Sequence, residues 1–283
     1  MYTRQISRAS RTAFIIALDL SGSMSDDTLA IRDARTKADA LSVIVNELLN
    51  ELIARARRSD RVRDYYDIAV IGYSGRGIEP LLSDEWFISV DRLERIQPEW
   101  RTITSETVDP NGGTMYTKVR RPYWIDPRPE GRTPLCEVFH KIYELTDSWC
   151  KNPAHADSFP PTIFNITDGE ASDAGESEIR DICDRIRQLG TSDGHALMFN
   201  VHLWSHDEAP AVLFPTKRDR ASLGRYGQLL FDCSSQIPKT LEARVREIAR
   251  PSERGPFRAM SYNCSPTKAL AILAIGSCSV GMQ

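Results

Sequence analysis

Residues 14–23 read Phe-Ile-Ile-Ala-Leu-Asp-Leu-Ser-Gly-Ser (FIIALDLSGS): an unbroken apolar run, an aspartate, then serines at alternate positions. A continuous apolar run closed by turn chemistry suits a parallel strand covered on both faces. Three more runs share the pattern: Tyr66–Tyr73 (YDIAVIGY) before Ser74-Gly75, Thr162–Thr167 (TIFNIT) before Asp168-Gly169, and Leu197–Trp204 (LMFNVHLW) before Ser205. Leu229–Phe231, stopping at Asp232, is a weaker fifth. Helical periodicity fills the intervals. Ile31, Ala34, Ala38, Leu41, Val45, Leu48 and Leu52 recur at steps of three and four, with the polar Ser25–Arg35 stretch set apart as a turn or short helix. Thr133–Trp149 predicts a second helix with Thr133 as N-cap and Pro134 in its first position. Glu176–Leu189, stopped by Gly190, and Ile237–Ala249 predict two more. Strands alternating with helices predict an α/β fold: a doubly wound, mostly parallel sheet flanked by helices.

Gly75–Gly131 breaks the rhythm. Trp86–Val90, Thr102–Val108, the turn Asp109-Pro-Asn-Gly-Gly113 and Thr114–Trp124 read as a β-hairpin insertion, because Asn-Gly between alternating residues favours a hairpin turn. The expected organisation is a single domain over 12–250 carrying an insertion at about 75–130. Residues 251–283 follow as a C-terminal extension packed on it, with a short helix at Pro266–Ile275.

Composition narrows the function. The chain has 283 residues, 41% hydrophobic and 27% charged, which excludes disordered and low-complexity classes. A net charge of −3 offers no broad attraction to nucleic acid or acidic membranes, so both are disfavoured as partners. No signal-peptide pattern precedes Asp19 and no apolar run spans a bilayer. Cys136, Cys150, Cys183, Cys233, Cys264 and Cys278 form no C-x-x-C pair, which disfavours zinc ribbons and fits reduced thiols in a cytoplasm.

In open α/β sheets, ligands bind beyond the carboxyl ends of the strands. There the sequence offers Asp19-x-Ser21-x-Ser23, Thr133-Pro134 and Asp168-Gly169: two carboxylates and three hydroxyls, with no histidine or cysteine. Hard oxygen donors select Mg²⁺, Mn²⁺ or Ca²⁺ over zinc or copper. Neutral hydroxyls leave much of the ion's charge in place, which favours one more carboxylate from outside. Each piece alone reads as a turn or a helix cap; the conjunction points to a metal.

Asp19-x-Ser21-x-Ser23, Thr133-Pro134-Leu135 and Thr167-Asp168-Gly169 resemble, in order and position, the metal-ion-dependent adhesion site of von Willebrand factor A (VWA) domains, a likeness that spans roughly Thr12 to Ala249. The resemblance implies that Ser21, Ser23 and Thr133 coordinate the ion directly, while Asp19 and Asp168 hold it mainly through water. It also implies a binding activity, in which an Asp or Glu of a partner protein completes the coordination, and no enzymatic one. Intracellular bacterial domains of this kind occur in stress- and defence-type gene sets beside kinases, phosphatases or AAA+ ATPases. The stretch Met24–Thr36 and the insertion are larger than the family's compact version.

Rival motifs are weaker. Gly72-x-x-Gly75-x-Gly77 lacks the following helix that a dinucleotide site needs, and no Gly-Lys-Ser/Thr phosphate loop exists. A haloacid-dehalogenase-like phosphatase needs an acid two residues after Asp19, where Ser21 stands. His202-x-x-x-His206 straddles a strand end, and Arg55, Arg57, Arg58, Arg61 and Arg63 read as a solvated helix end. The leading expectation is therefore a Mg²⁺-dependent protein-binding module. The alternatives are a metal-dependent phosphoryl-transfer enzyme and a structural assembly protein with a vestigial site.

Overall fold

The computed structural model describes residues 1–27, 34–108, 114–203, 210–251 and 254–276. Its centre is β1 (Thr12–Asp19), every residue of which is buried. β2 (Tyr66–Ser74) and β6 (Thr162–Thr167) flank β1 as parallel neighbours. The antiparallel β3 (Gly77–Pro80) edges β2, joined through the Gly75-Arg76 turn. On the other side β7 (Leu197–Leu203) pairs parallel to β6 and β9 (Met260–Cys264) parallel to β7, with the short antiparallel β8 (Val212–Leu213) at that edge. The order is β8-β9-β7-β6-β1-β2-β3.

Both faces are covered, as the apolar runs require. Phe14, Ile16 and Leu18 of β1 point into one core, with α1 (Lys37–Ala56), α5 (Lys239–Ala249) and α6 (Pro266–Gly276). Ile15 and Ala17 point into the other, with α2 (Leu135–Lys151), α3 (Glu176–Gln188) and α4 (Arg225–Cys233). Cutting Phe14, Ile15, Ile16 or Leu18 back to alanine costs ~2–5 kcal/mol. The predicted doubly wound α/β sheet is thus the fold. The insertion is a long antiparallel hairpin, β4 (Glu99–Val108) with β5 (Thr114–Tyr123), in register from Glu99↔Tyr123 to Val108↔Thr114. The expected Asp109–Gly113 turn lies outside the described residues. Asn46 of α1 fixes the hairpin's base, accepting from the backbone N–H of Trp124 (2.7 Å) and Ile125 (3.1 Å).

Three expectations are corrected. Leu229–Phe231 is not a strand; it lies inside α4, since a run of three apolar residues carries no period of its own. The fifth parallel strand is instead β9, within the stretch expected to be a C-terminal extension, and α6 packs on α1. The helix after β1 begins at Lys37, where Thr36 and Asp39 form a reciprocal capping box; Ile31 lies outside the described residues. Among the described residues no helix is long and apolar enough to cross a membrane.

Candidate metal centre

Three loops beyond the carboxyl ends of β1 and β6 and ahead of α2 meet at one rim. The loop ahead of α2 is knitted to those after β1 and β2: Glu130 N–H donates to Leu20 O (2.7 Å), Gly22 N–H to Gly131 O (2.9 Å) and Gly75 N–H to Glu130 O (2.8 Å). Gly75 and Gly131 approach so closely that a Cβ on either would stand 2.9 Å from the other's Cα, and Gly131 holds a φ of +71°. Side chains at these two positions would push the loop before Thr133 off the rim.

The five expected residues converge. Asp19, at the end of β1, is fully buried; one of its oxygens accepts from Ser21 N–H (2.9 Å) and the other from the Thr167 hydroxyl (2.6 Å). Ser21 Oγ lies 3.2 Å from Ser23 Oγ, and Ser23 donates to Asp168 Oδ1 at 2.7 Å. Thr133 Oγ1 and Ser23 Oγ each stand 3.6 Å from the point where a Cβ on Gly169 would sit. Asp19, Ser21, Thr133 and Asp168 are buried, whereas Ser23 is exposed, so the cluster opens to solvent on that side.

The helix after Thr133 starts one residue later than expected. Pro134 holds the cap position of α2 and Thr133 makes no capping bond. Asp173 does that work from the loop after β6, accepting from the backbone N–H of Cys136 (3.2 Å) and Glu137 (2.9 Å). Ser172 receives the Thr133 N–H (3.0 Å) and donates its own hydroxyl to Thr133 O (3.0 Å). The loop carrying Asp168 thereby fastens the loop carrying Thr133, and the threonine hydroxyl is released from capping. Ser172 and Asp173 went unread because their partners are 36 to 39 residues away.

Electrostatics set the site apart. Burial pushes the Asp19 carboxyl up to about 6 against the pull of its hydrogen bonds from Ser21 and Thr167, and the nearby Asp168 adds to the rise. A carboxylate held in this way gains from a cation beside it. The donor set fits a hard ion: at ~2.1 Å per bond, neighbouring ligands of an octahedral ion stand ~3.0 Å apart, close to the Ser21–Ser23 spacing of 3.2 Å. One residue was not foreseen here. Lys37, the first residue of α1, places Nζ 2.8 Å from Asp168 Oδ2 and 3.3 Å from Asp26 Oδ2. Its signal in the sequence is a lysine in the first turn of a helix, against the preference set by the helix dipole.

Among the described residues a second donor group lies elsewhere: Cys136 and His140 on α2 and Glu178 on α3, with ligand atoms within 4.8 Å of one another. The spacing Cys136-x-x-x-His140 on a helix could have flagged it. Burial, then the charges of Glu178 and Asp173, push this thiol up to about 11. Glu178 also holds the protonated thiol in a hydrogen bond.

The rival motifs resolve as structure. Gly75-Arg76 turns a hairpin. His202 is buried, stacks on Tyr262 (4.5 Å between rings) and meets the Asn263 N–H (3.2 Å); His206 lies outside the described residues. In the arginine cluster, Arg55 pairs with Glu51 and Arg57 with Glu94. The five described cysteines carry free thiols, and Cys278 lies outside the described residues.

No protein-family model matches the chain, and neither does any curated protein. Solved structures similar to it include the manganese-loaded TRAP protein of Plasmodium vivax, at 11% identity and a TM-score of 0.41, covering 96% of this chain and 75% of that one. An aerotolerance-related membrane protein from Bacteroides fragilis aligns at 12% identity and a TM-score of 0.36, over 78% of this chain and 86% of that one. The minor pilin PilB of Streptococcus sanguinis aligns at 10% identity and a TM-score of 0.38, over 68% of this chain and 50% of that one. At such values the likenesses carry nothing about ligand or partner, which rest on the residues themselves.

Proposed function

We propose that this chain is a VWA-type, divalent-cation-dependent protein-binding module. Ser21, Ser23 and Thr133 would hold the ion directly, and Asp19 and Asp168 would hold it through water. The observation that carries this reading is the meeting of three hydroxyls and two carboxylates from three distant loops, with the Ser21–Ser23 pair at the spacing of adjacent octahedral ligands. When bound, the ion supplies a positive charge that neutral hydroxyls leave largely uncompensated, suited to an Asp or Glu of a partner protein. Ser23 lies on the exposed side from which such a residue approaches.

Mg²⁺ is the occupant we assign, with Mn²⁺ or Ca²⁺ accepted by the same oxygens. The module binds and does not catalyse: Ser21 stands where a phosphatase of related design needs an acid, and a hydroxyl is a poor proton donor. From the resemblance alone we place it in the cytoplasm of a bacterium, in a stress- or defence-type assembly with a kinase, phosphatase or AAA+ ATPase. The test is partner capture from a native lysate with Mg²⁺ or with EDTA, using wild type, Asp19→Ala and Thr133→Ala. Capture that needs Mg²⁺ and is lost in both folded variants is the expected result. Equal recovery of the same partners in every arm overturns the proposal. Metal-dependent turnover of a generic phosphoester, lost in Asp19→Asn, would replace it with the enzyme reading.

A further inference from the structure

Lys37 sits where a cation is costly unless something holds it. A helix N-terminus carries the positive end of the dipole, and a buried ammonium needs acceptors for its protons. The Lys37 side chain is only 7% exposed, and the Asp168 side chain it meets is fully buried. Asp168 is divided between two donors: Oδ2 takes the ammonium at 2.8 Å and Oδ1 takes the Ser23 hydroxyl at 2.7 Å. The ammonium and the hydroxyl cluster therefore share one carboxylate. The second acceptor, Asp26 Oδ2 at 3.3 Å, belongs to a side chain 52% exposed and marks the way out to solvent.

We propose that Lys37 is a built-in competitor for the divalent ion, an ammonium that neutralises Asp168 and must turn toward Asp26 before an ion can use that carboxylate. The inference rests on the metal reading above and adds how the site is regulated. Two cations on one carboxylate repel, so Lys37 sets the affinity for the ion low. The exchange needs only the lysine's flexible stem. The backbone around it is already fixed by Lys37 N–H to Asp26 O (3.0 Å), by the Thr36–Asp39 capping box and by the Asp27↔Thr36 bridge. The burial of Lys37 argues against its greeting an incoming partner carboxylate directly.

The experiment is a titration of the full chain with Mn²⁺ alone, reading free Mn²⁺ by its electron paramagnetic resonance signal, with folding checked by circular dichroism. Wild type is compared with Lys37→Met, Lys37→Arg and Asp26→Asn. We expect one Mn²⁺ per chain, bound roughly tenfold or more tightly in Lys37→Met, as weakly as wild type in Lys37→Arg, and a few-fold more weakly in Asp26→Asn. Equal affinity in wild type and Lys37→Met, or a weaker Lys37→Met, overturns the competitor while leaving the metal reading standing. Should Lys37→Met fail to fold, unchanged or tighter binding in Asp26→Asn overturns it instead. No Mn²⁺ bound by wild type or by folded Lys37→Met overturns both readings.

Discussion

Replacing Asp19 by asparagine separates the cost of burying a charge from the use made of it. Desolvation carries this carboxyl from 3.8 in the unfolded chain to about 6 in the fold. At about 1.4 kcal/mol per pH unit, ionising it inside the folded chain costs roughly 3 kcal/mol near neutrality. The sign follows from proton counting. The folded state keeps its proton to higher pH than the unfolded one, so stability falls as pH rises from about 4 to about 6 and is level above that. Asparagine keeps the size and the oxygen that accepts from Ser21 N–H. Its amide group then faces Thr167 Oγ1, whose hydroxyl has a second acceptor in Gly169 O at 3.1 Å and can turn to it. In EDTA near neutral pH, Asp19→Asn is therefore expected to be about 1–3 kcal/mol more stable than wild type, with the gap closing toward about pH 4. A divalent ion reverses the order, because a ligand bound only by the folded state adds RT ln(1 + [L]/Kd), and only wild type gains it in full. Urea denaturation across this pH range, with EDTA and with Mg²⁺, reads both effects. A variant less stable than wild type in EDTA at neutral pH, or a gap that ignores pH, refutes the reasoning.

Three other outcomes follow from the geometry. Gly169→Val places methyl groups beside Ser23 Oγ and Thr133 Oγ1, so Mn²⁺ affinity measured by calorimetry should fall at least ~tenfold while the melting temperature moves by no more than ~3 °C. Asp173→Ala strips the cap from α2 and should cost ~1 kcal/mol in urea denaturation, with weakened Mn²⁺ binding because the Thr133 loop loosens with it. Gly131→Val meets both a φ of +71° and the Gly75 backbone, and should destabilise the chain by ~2 kcal/mol or more on thermal melting.

The strands that position the site were legible because a parallel strand covered on both faces is mostly apolar, and β1, β2, β6 and β7 carry continuous or nearly continuous apolar runs. β9 was not, since it reads Met-Ser-Tyr-Asn-Cys and buries Ser261 and Asn263. Ser261 Oγ lies 3.3 Å from Cys264 Sγ in the same strand, and the Asn263 backbone N–H donates to His202 Nδ1. Asn165 and Asn200 are polar exceptions inside legible runs, linked to each other at 3.0 Å, with Tyr73 donating to Asn165 at 2.9 Å. The oxygens of the site were readable from local turns at strand ends. The capping by Asp173 was not, because it acts on a loop more than thirty residues away; Lys37 left only its odd place in the first turn of a helix, with its partner Asp168 far along the chain.

The most direct measurement is the position of Mn²⁺, located by its anomalous scattering in crystals soaked with the ion. A single peak within bonding distance of Ser21 Oγ, Ser23 Oγ and Thr133 Oγ1, with the Lys37 ammonium moved off Asp168, is the expected result. A crystal with no peak there, or one whose only peak lies between Cys136, His140 and Glu178, contradicts it.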